Sequence, residues 1–135
     1  MPTLERIVVA AVAITARALA EVAPELTFVQ WRVIVLVDQP DGIAVGALAA
    51  ALGAKIAAMS RLVGRLRGRG LVSTQRSETD ARVVLVTLTP AGSDLRSRVV
   101  ERRRQELRAA LANTALPADA ALVMGRVAAA LEGLA

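Results

Sequence analysis

Apolar residues recur at helical spacing from the first residues of the chain. Leu4, Ile7, Ala11, Ile14 and Ala18 fall on one face and predict a helix from about Thr3 to Val22, stopped before Pro24. From Thr27 to Asp38 the chain is almost continuously apolar. Its β-branched stretch Val33–Val37 would suit a buried strand, but the segment's length and the spacing of Phe28, Trp31 and Val35 predict a second helix. After the Pro40-Asp41-Gly42 turn, Val45–Leu52 reads as a short helix. Gly53 interrupts it, and Lys55–Arg67 reads as a longer helix closed by Gly70.

The period then changes. Leu71–Gln75 and Arg82–Leu88 read as strands, the second with Val84, Val86 and Leu88 on one face, and Ser77-Glu78-Thr79-Asp80 is the polar turn between them. Thr89-Pro90 combines an N-cap with a first-turn proline and starts a helix running to about Asn113. A last helix, Ala118–Leu134, carries Val123, Val127, Leu131 and Leu134 on one side. Two helices around a glycine turn, followed by a β-hairpin, make a winged helix-turn-helix in a mainly α chain. Residues 27–90 are its core, and residues 1–24 and 90–135 supply flanking helices.

The chain has 135 residues, enough for one domain with a core that needs no disulfide or metal staple. It contains no cysteine and no histidine. Thiolate nucleophiles, imidazole acid–base chemistry, thiol redox sensing and the usual zinc sites are therefore excluded, and the scattered carboxylates form no acid–base pair. No catalysis, metal or cofactor is expected. The uncharged runs Ile7–Ala16 and Ile43–Ala54 fall short of the roughly 20 residues of a membrane span. The first run precedes Ala18-Leu19-Ala20, a triplet of signal-peptidase type, but Glu5 and Arg17 oppose an export signal. The expected location is cytoplasmic, with no membrane partner.

Charge changes the picture more by position than by total. Residues 1–54 carry three arginines against five acids, residues 55–82 seven basic residues against two acids, and residues 83–135 seven arginines against five acids. The middle block alone therefore carries an excess equal to the chain's net +5, the footprint of a polyanion binder. On a helical wheel of Lys55–Arg67, Met59, Leu62, Val63 and Leu66 cluster inward with Ile56 at the margin, facing Leu48 and Leu52. Ala57, Ala58, Arg61, Gly64 and Arg65 lie opposite. Such a narrow, arginine-bearing face can enter a major groove, where Arg61 would meet guanine or phosphate and the alanine methyls a thymine methyl. The plainer alternative is a solvated helix face. At the hairpin tip, Asp80-Ala81-Arg82 faces Arg76 on the other strand, and Asp80 can aim a neighbouring arginine toward a minor groove. Alone, the triplet reads equally as a surface ion pair.

Between Leu26 and Gly92 the chain resembles the MarR family of winged-helix transcription regulators. The matching pieces are Gln30-Trp31-Arg32-Val33, Leu48-Ala49-x-x-Leu52-Gly53, Ser60-Arg61-Leu62-Val63-x-Arg65-Leu66 and Gly70-Leu71-Val72. Asp80-x-Arg82 and Val86-x-Leu88-Thr89-Pro90-Ala91-Gly92 follow in order. The resemblance implies a homodimer formed by the terminal helices, which reads a pseudo-palindromic double-stranded operator. Recognition helices would enter successive major grooves, with Lys55, Ala57, Ala58, Ser60, Arg61 and Arg65 at the DNA. Wings bearing Arg76, Thr79, Asp80 and Arg82 would enter the flanking minor grooves. It further implies repression of a nearby gene, relieved by a small aromatic or carboxylate ligand between the dimerisation and DNA-binding regions.

The chain departs from the family pattern in ways that bear on specificity. Hydroxyl residues common in the family are replaced by Lys55, Ala57 and Ala58, and a capping threonine by Ala44. Ser73, Thr74, Gln75 and Ala81 stand where wing arginines are frequent, while Gly64 and Arg67 replace acids. Binding is therefore expected to lean on backbone charge more than on base hydrogen bonds, with steep salt dependence and a specific-to-random ratio below roughly a thousand. For a ligand, Trp31 and Arg32 are the candidates. Arg32 reads either as a carboxylate partner or as an ion pair with Glu21, Glu25 or Asp38. Two rival functions stay open, a low-specificity architectural DNA-binding protein and a protein-interaction module that has lost DNA binding.

Overall fold

The computed structural model describes residues 2–132. Helix α1 (Pro2–Val22) leads into α2 (Phe28–Val37), a two-residue strand β1 (Ile43–Ala44), α3 (Val45–Ala51) and α4 (Ile56–Gly68). Strands β2 (Val72–Arg76) and β3 (Val84–Leu88) follow, then α5 (Pro90–Leu111) and α6 (Ala120–Glu132). The strands form one antiparallel sheet in the order β1-β3-β2. Val72 pairs with Leu88 and Arg76 with Val84 along the hairpin, and Ile43 pairs with Val86 on its other edge. The result is a mainly helical winged helix-turn-helix.

Local chemistry sets the boundaries. Thr27 and Gln30 close a capping box at the start of α2, each side chain taking the other's backbone N–H at 3.1 and 3.0 Å. Gly70, at φ +73°, ends α4. Its amide reaches the Arg67 carbonyl and that of Leu71 reaches Leu66, the paired bonds of a Schellman motif, with both leucines buried. Thr89 accepts the Gly92 amide at 3.1 Å and donates to the Gly70 carbonyl at 2.5 Å, joining the start of α5 to the end of α4.

The core gathers Trp31, Val33, Ile34 and Val37 from α2, Leu48 from α3, and Met59, Val63 and Leu66 from α4. Val86 closes it from the sheet and Leu95 and Val99 from α5. Each such side chain contributes about 1.5–3 kcal/mol by leaving water. Trp31, rather than Phe28 or Val35, lies inside: the latter two are 40% and 37% exposed. The helix predicted from the spacing of Phe28, Trp31 and Val35 forms, but its inward stripe runs through Gln30, Trp31, Val33, Ile34 and Val37, so Trp31 alone of the three is buried. On α1, Ala18 is buried and Leu4 and Ile14 are half-buried, while Ile7 and Ala11 remain exposed. On α6, Val127 is half-buried and Val123 and Leu131 are exposed, and Leu134 lies outside the described residues.

Strand β1 is an addition to the expected hairpin; two residues are too few to show a period. Strand β3 begins at Val84 rather than Arg82, because Asp80 and Arg82 are taken up by the turn.

Helices α1 and α5 lie antiparallel, tied by Arg17–Glu106 and by Arg102, whose guanidinium donates to both Glu21 oxygens at 2.5 and 2.9 Å. The Arg102 hydrogen bonds hold the Glu21 carboxyl below the usual carboxylate range, and Glu21 in turn raises Arg102. A carboxyl lowered by folding stabilises above its unfolded pKa, and that contribution is lost as pH falls through the lowered value. Glu21→Gln should therefore reduce Tm near neutrality by at most a few degrees, since the pair is exposed. Melts of both proteins should converge in acid; a gap that persisted there would remove the pair as its cause.

Candidate nucleic-acid interface

The turn between α3 and α4 passes through Gly53 at φ +61° and is closed by the Ala54 amide on the Ala49 carbonyl at 2.8 Å. Helix α4 then buries Met59, Val63 and Leu66, with Leu62 half-buried beside them. Ala57, Ala58, Ser60, Arg61 and Arg65 are exposed on the outward side. Ile56, expected at the margin of the core, is 62% exposed. The N-caps of α3 and α4 are Ala44 and Lys55, and neither makes a side-chain cap bond. Among the described residues, Lys55, Arg61 and Arg65 make no side-chain hydrogen bond or ion pair within the chain. Helix α4 carries no acid to neutralise these cations.

The wing is built to present one arginine. Arg76 spans the tip, its guanidinium donating to the Ala81 carbonyl at 2.6 Å, and the Ser77 amide closes on the Val83 carbonyl at 2.8 Å. Asp80 Oδ1 accepts both the Arg82 amide at 3.0 Å and its Nε at 3.3 Å. Arg82 is thus held at its base while its side chain is 92% exposed. The Thr79 hydroxyl pairs with that of Ser77 at 3.0 Å within the turn. Of the wing residues singled out in the sequence, Arg82 projects freely, while Arg76, Thr79 and Asp80 shape the tip.

The MarR family model matches residues 25–83, from the middle of the α1–α2 connection through the wing tip. The solved structure of RV1404 from Mycobacterium tuberculosis is 31% identical, with a TM-score of 0.80 over 97% of this chain and 87% of that one. The chain belongs to the MarR family. A mutant of MepR from S. aureus, solved bound to an oligodeoxyribonucleotide, shares the fold at 18% identity and a TM-score of 0.69, covering 98% of this chain and 96% of that one. CouR from Rhodococcus jostii RHA1, solved with p-coumaroyl-CoA, does so at 23% identity and a TM-score of 0.72, covering 98% and 88%. No curated protein matches the sequence.

In this MarR protein α4 and the wing border a common cleft of about 420 Å³. Its walls are apolar, from Val45, Ile56, Val63 and Val84, and its rim carries Ser60, Arg67 and Arg82. Arg67 donates to the Thr74 hydroxyl at 3.1 Å, bridging α4 to β2. Neither the cleft nor this bridge was legible in the sequence. The nearest signal was the basic block itself, which does not say which arginines turn toward the wing.

Trp31 and Arg32 diverge. The indole is 2% exposed in the core, whereas Arg32 is exposed on the outer side of α2. The ion pair considered for Arg32 does not form: Glu21 pairs with Arg102, Glu25 with Arg69 and Asp38 with Arg96. Those arginines lie on α5 and at the end of α4, directions the local sequence around Arg32 does not reveal. Among the described residues no group of acids could hold a metal ion, and no single helix is long and apolar enough to cross a membrane.

Proposed function

We propose that the chain is a homodimeric, DNA-binding transcriptional regulator, a repressor of a nearby gene whose grip is relieved by a small organic ligand. The observation that carries this reading is the pairing of Arg61 and Arg65, unengaged among the described residues on the outward face of α4, with Arg82 held out by Asp80 on the adjoining wing. A helix for the major groove beside an arginine for the minor groove is a two-groove DNA reader. Lys55, Ala57, Ala58 and Ser60 complete the helix face, and Arg76 and Thr79 brace the wing. The oligonucleotide bound to MepR supports the same use of the fold.

Dimerisation is supported by the apolar surface on the terminal helices. Ile7, Val8, Val9 and Val12 on α1, and Leu122, Val123, Met124 and Leu131 on α6, are 47–69% exposed, more than isolated surface apolar residues require. A two-fold dimer would set two α4 helices on a pseudo-palindromic operator. The p-coumaroyl-CoA bound to CouR supports a ligand-responsive form. In this chain the cleft between α4 and the wing is where an anionic, partly apolar molecule would compete with DNA, and the exposed Arg32, on the side of α2 away from the buried Trp31, is the second candidate. The protein acts by binding, with no catalytic step or cofactor, in the cytoplasm beside its DNA.

The test is fluorescence anisotropy with the duplex upstream of its own gene and a scrambled duplex, over a salt series. Preferential binding with two chains per site supports the regulator. Equal binding to both duplexes favours an architectural DNA coater, a reading that the bare Ala57/Ala58 face makes specific. No binding at low salt would leave a protein-interaction module.

A further inference from the structure

The first turn of α4 is apolar where a DNA-facing helix would ordinarily carry hydrogen-bonding groups. Ile56 is the most exposed large apolar side chain between Thr27 and Pro90, at 62%. Ala57 and Ala58 beside it are exposed as well. The only polar side chains on the helix are Ser60 and the arginines Arg61, Arg65 and Arg67. Ile56 is not needed to fill the core, which Met59, Val63 and Leu66 already reach from the same helix. Lys55 and Arg61, both without a partner among the described residues, flank this apolar tip, so the surface is complementary to a polyanion that presents apolar groups between its charges.

We infer that Ile56, Ala57 and Ala58 read thymine C5-methyl groups in the major groove. The inference rests on the DNA-binding reading above. Of the base edges exposed there, only thymine offers an apolar group; guanine, adenine and cytosine present hydrogen-bonding atoms. An aliphatic side chain set against those atoms strips their water and returns no hydrogen bond, whereas against a thymine methyl it removes apolar surface from both partners. The same residues therefore attract T·A pairs and reject G·C pairs. Ala57 and Arg61 are one turn apart on the helix, about 6 Å, or roughly two base steps. The preferred half-site thus places thymines within about two steps of the group that Arg61 holds. Methyl contacts discriminate weakly, in keeping with the small specific-to-random ratio expected of this chain.

Selection of preferred sites from randomised duplexes with the full-length protein, followed by replacement of single thymines with deoxyuridine, tests this. Deoxyuridine removes the methyl and keeps the base pair. At one or more thymines per half-site the replacement should weaken binding by about 4-fold, the effect of one buried methyl group. The penalty should shrink toward none in Ile56→Ala, which trims an exposed side chain, or in Ala58→Gly. Sequence preference with no deoxyuridine penalty overturns the inference and leaves the regulator standing. A penalty unchanged in both variants overturns the assignment to the first turn of α4. A ligand-only role for Ile56 in the cleft gives that same result. Failure to bind any duplex overturns both readings.

Discussion

Arg61→Ala should weaken binding to the preferred duplex by about 1–3 kcal/mol, roughly 5- to 150-fold, and should narrow the gap between preferred and scrambled DNA. The guanidinium stands on the outward face of α4 with no partner among the described residues, so its hydrogen-bonding capacity is available to a base edge or phosphate. Arg82→Ala should act differently. Its side chain, tethered only at the base by Asp80, contributes charge to a groove, so affinity should fall on all sequences and the salt slope by about 1. Neither change should move stability beyond about 0.5 kcal/mol, because both side chains are exposed. Anisotropy titrations of each variant on both duplexes, with melts alongside, separate the outcomes. A uniform loss for Arg61→Ala would place that residue on phosphate alone.

A large effect on the fold is expected at Gly92. A Cβ there would lie 2.0 Å from the Leu71 carbonyl oxygen and 3.1 Å from Leu88 Cδ2. The oxygen cannot retreat freely, since it accepts the Thr89 amide at 3.2 Å, and Gly92 itself donates to the Thr89 hydroxyl. Gly92→Ala must therefore push the start of α5 off the sheet and should destabilise by about 2–4 kcal/mol. Gly64→Ala is the matched control. Gly64 lies inside α4 and, among the described residues, an added Cβ would meet nothing within 4 Å beyond its own helix backbone and chain neighbours, so it should gain about 0.5–1 kcal/mol of helix stability. Urea unfolding followed by circular dichroism reads both. Equal effects would mean that close packing at Gly92 does not govern the junction.

The readable parts of the chain were those governed by local chemistry. Gly70, and Thr89 with Pro90, punctuate the helices through residues close in sequence, and the structure forms both boundaries; the capping box of Thr27 and Gln30 is equally local but was found only in the structure. The exposed face of α4 followed from its period, because a single inward stripe leaves the remaining directions to solvent. The basic block was visible as composition. It concentrates charge on α4 and the wing because neighbouring elements of a helix-turn-helix and hairpin stay close in space.

Elsewhere the sequence was silent or ambiguous, for reasons of range. Val33–Val37 alone suited a strand, and although the length and spacing of the whole segment pointed to the helix that forms, they did not show which of its faces turns inward. Arg32 could have met any of three acids. Arg102, Arg69 and Arg96, distant in sequence, claimed them instead. Strand β1 exists because Ile43 finds Val86 across the sheet, a partner more than forty residues away. By itself, then, the sequence determined the helices and the hairpin, the glycine and Thr89-Pro90 boundaries and the charged face, which depend on residues within a turn or two of one another, and the family, which shows as short local pieces in order along the chain. The tertiary structure alone decided which arginines are engaged and which are free, the cleft between α4 and the wing, and the close approach at Gly92. Those depend on where separately folded segments meet, and local periodicity carries no record of that.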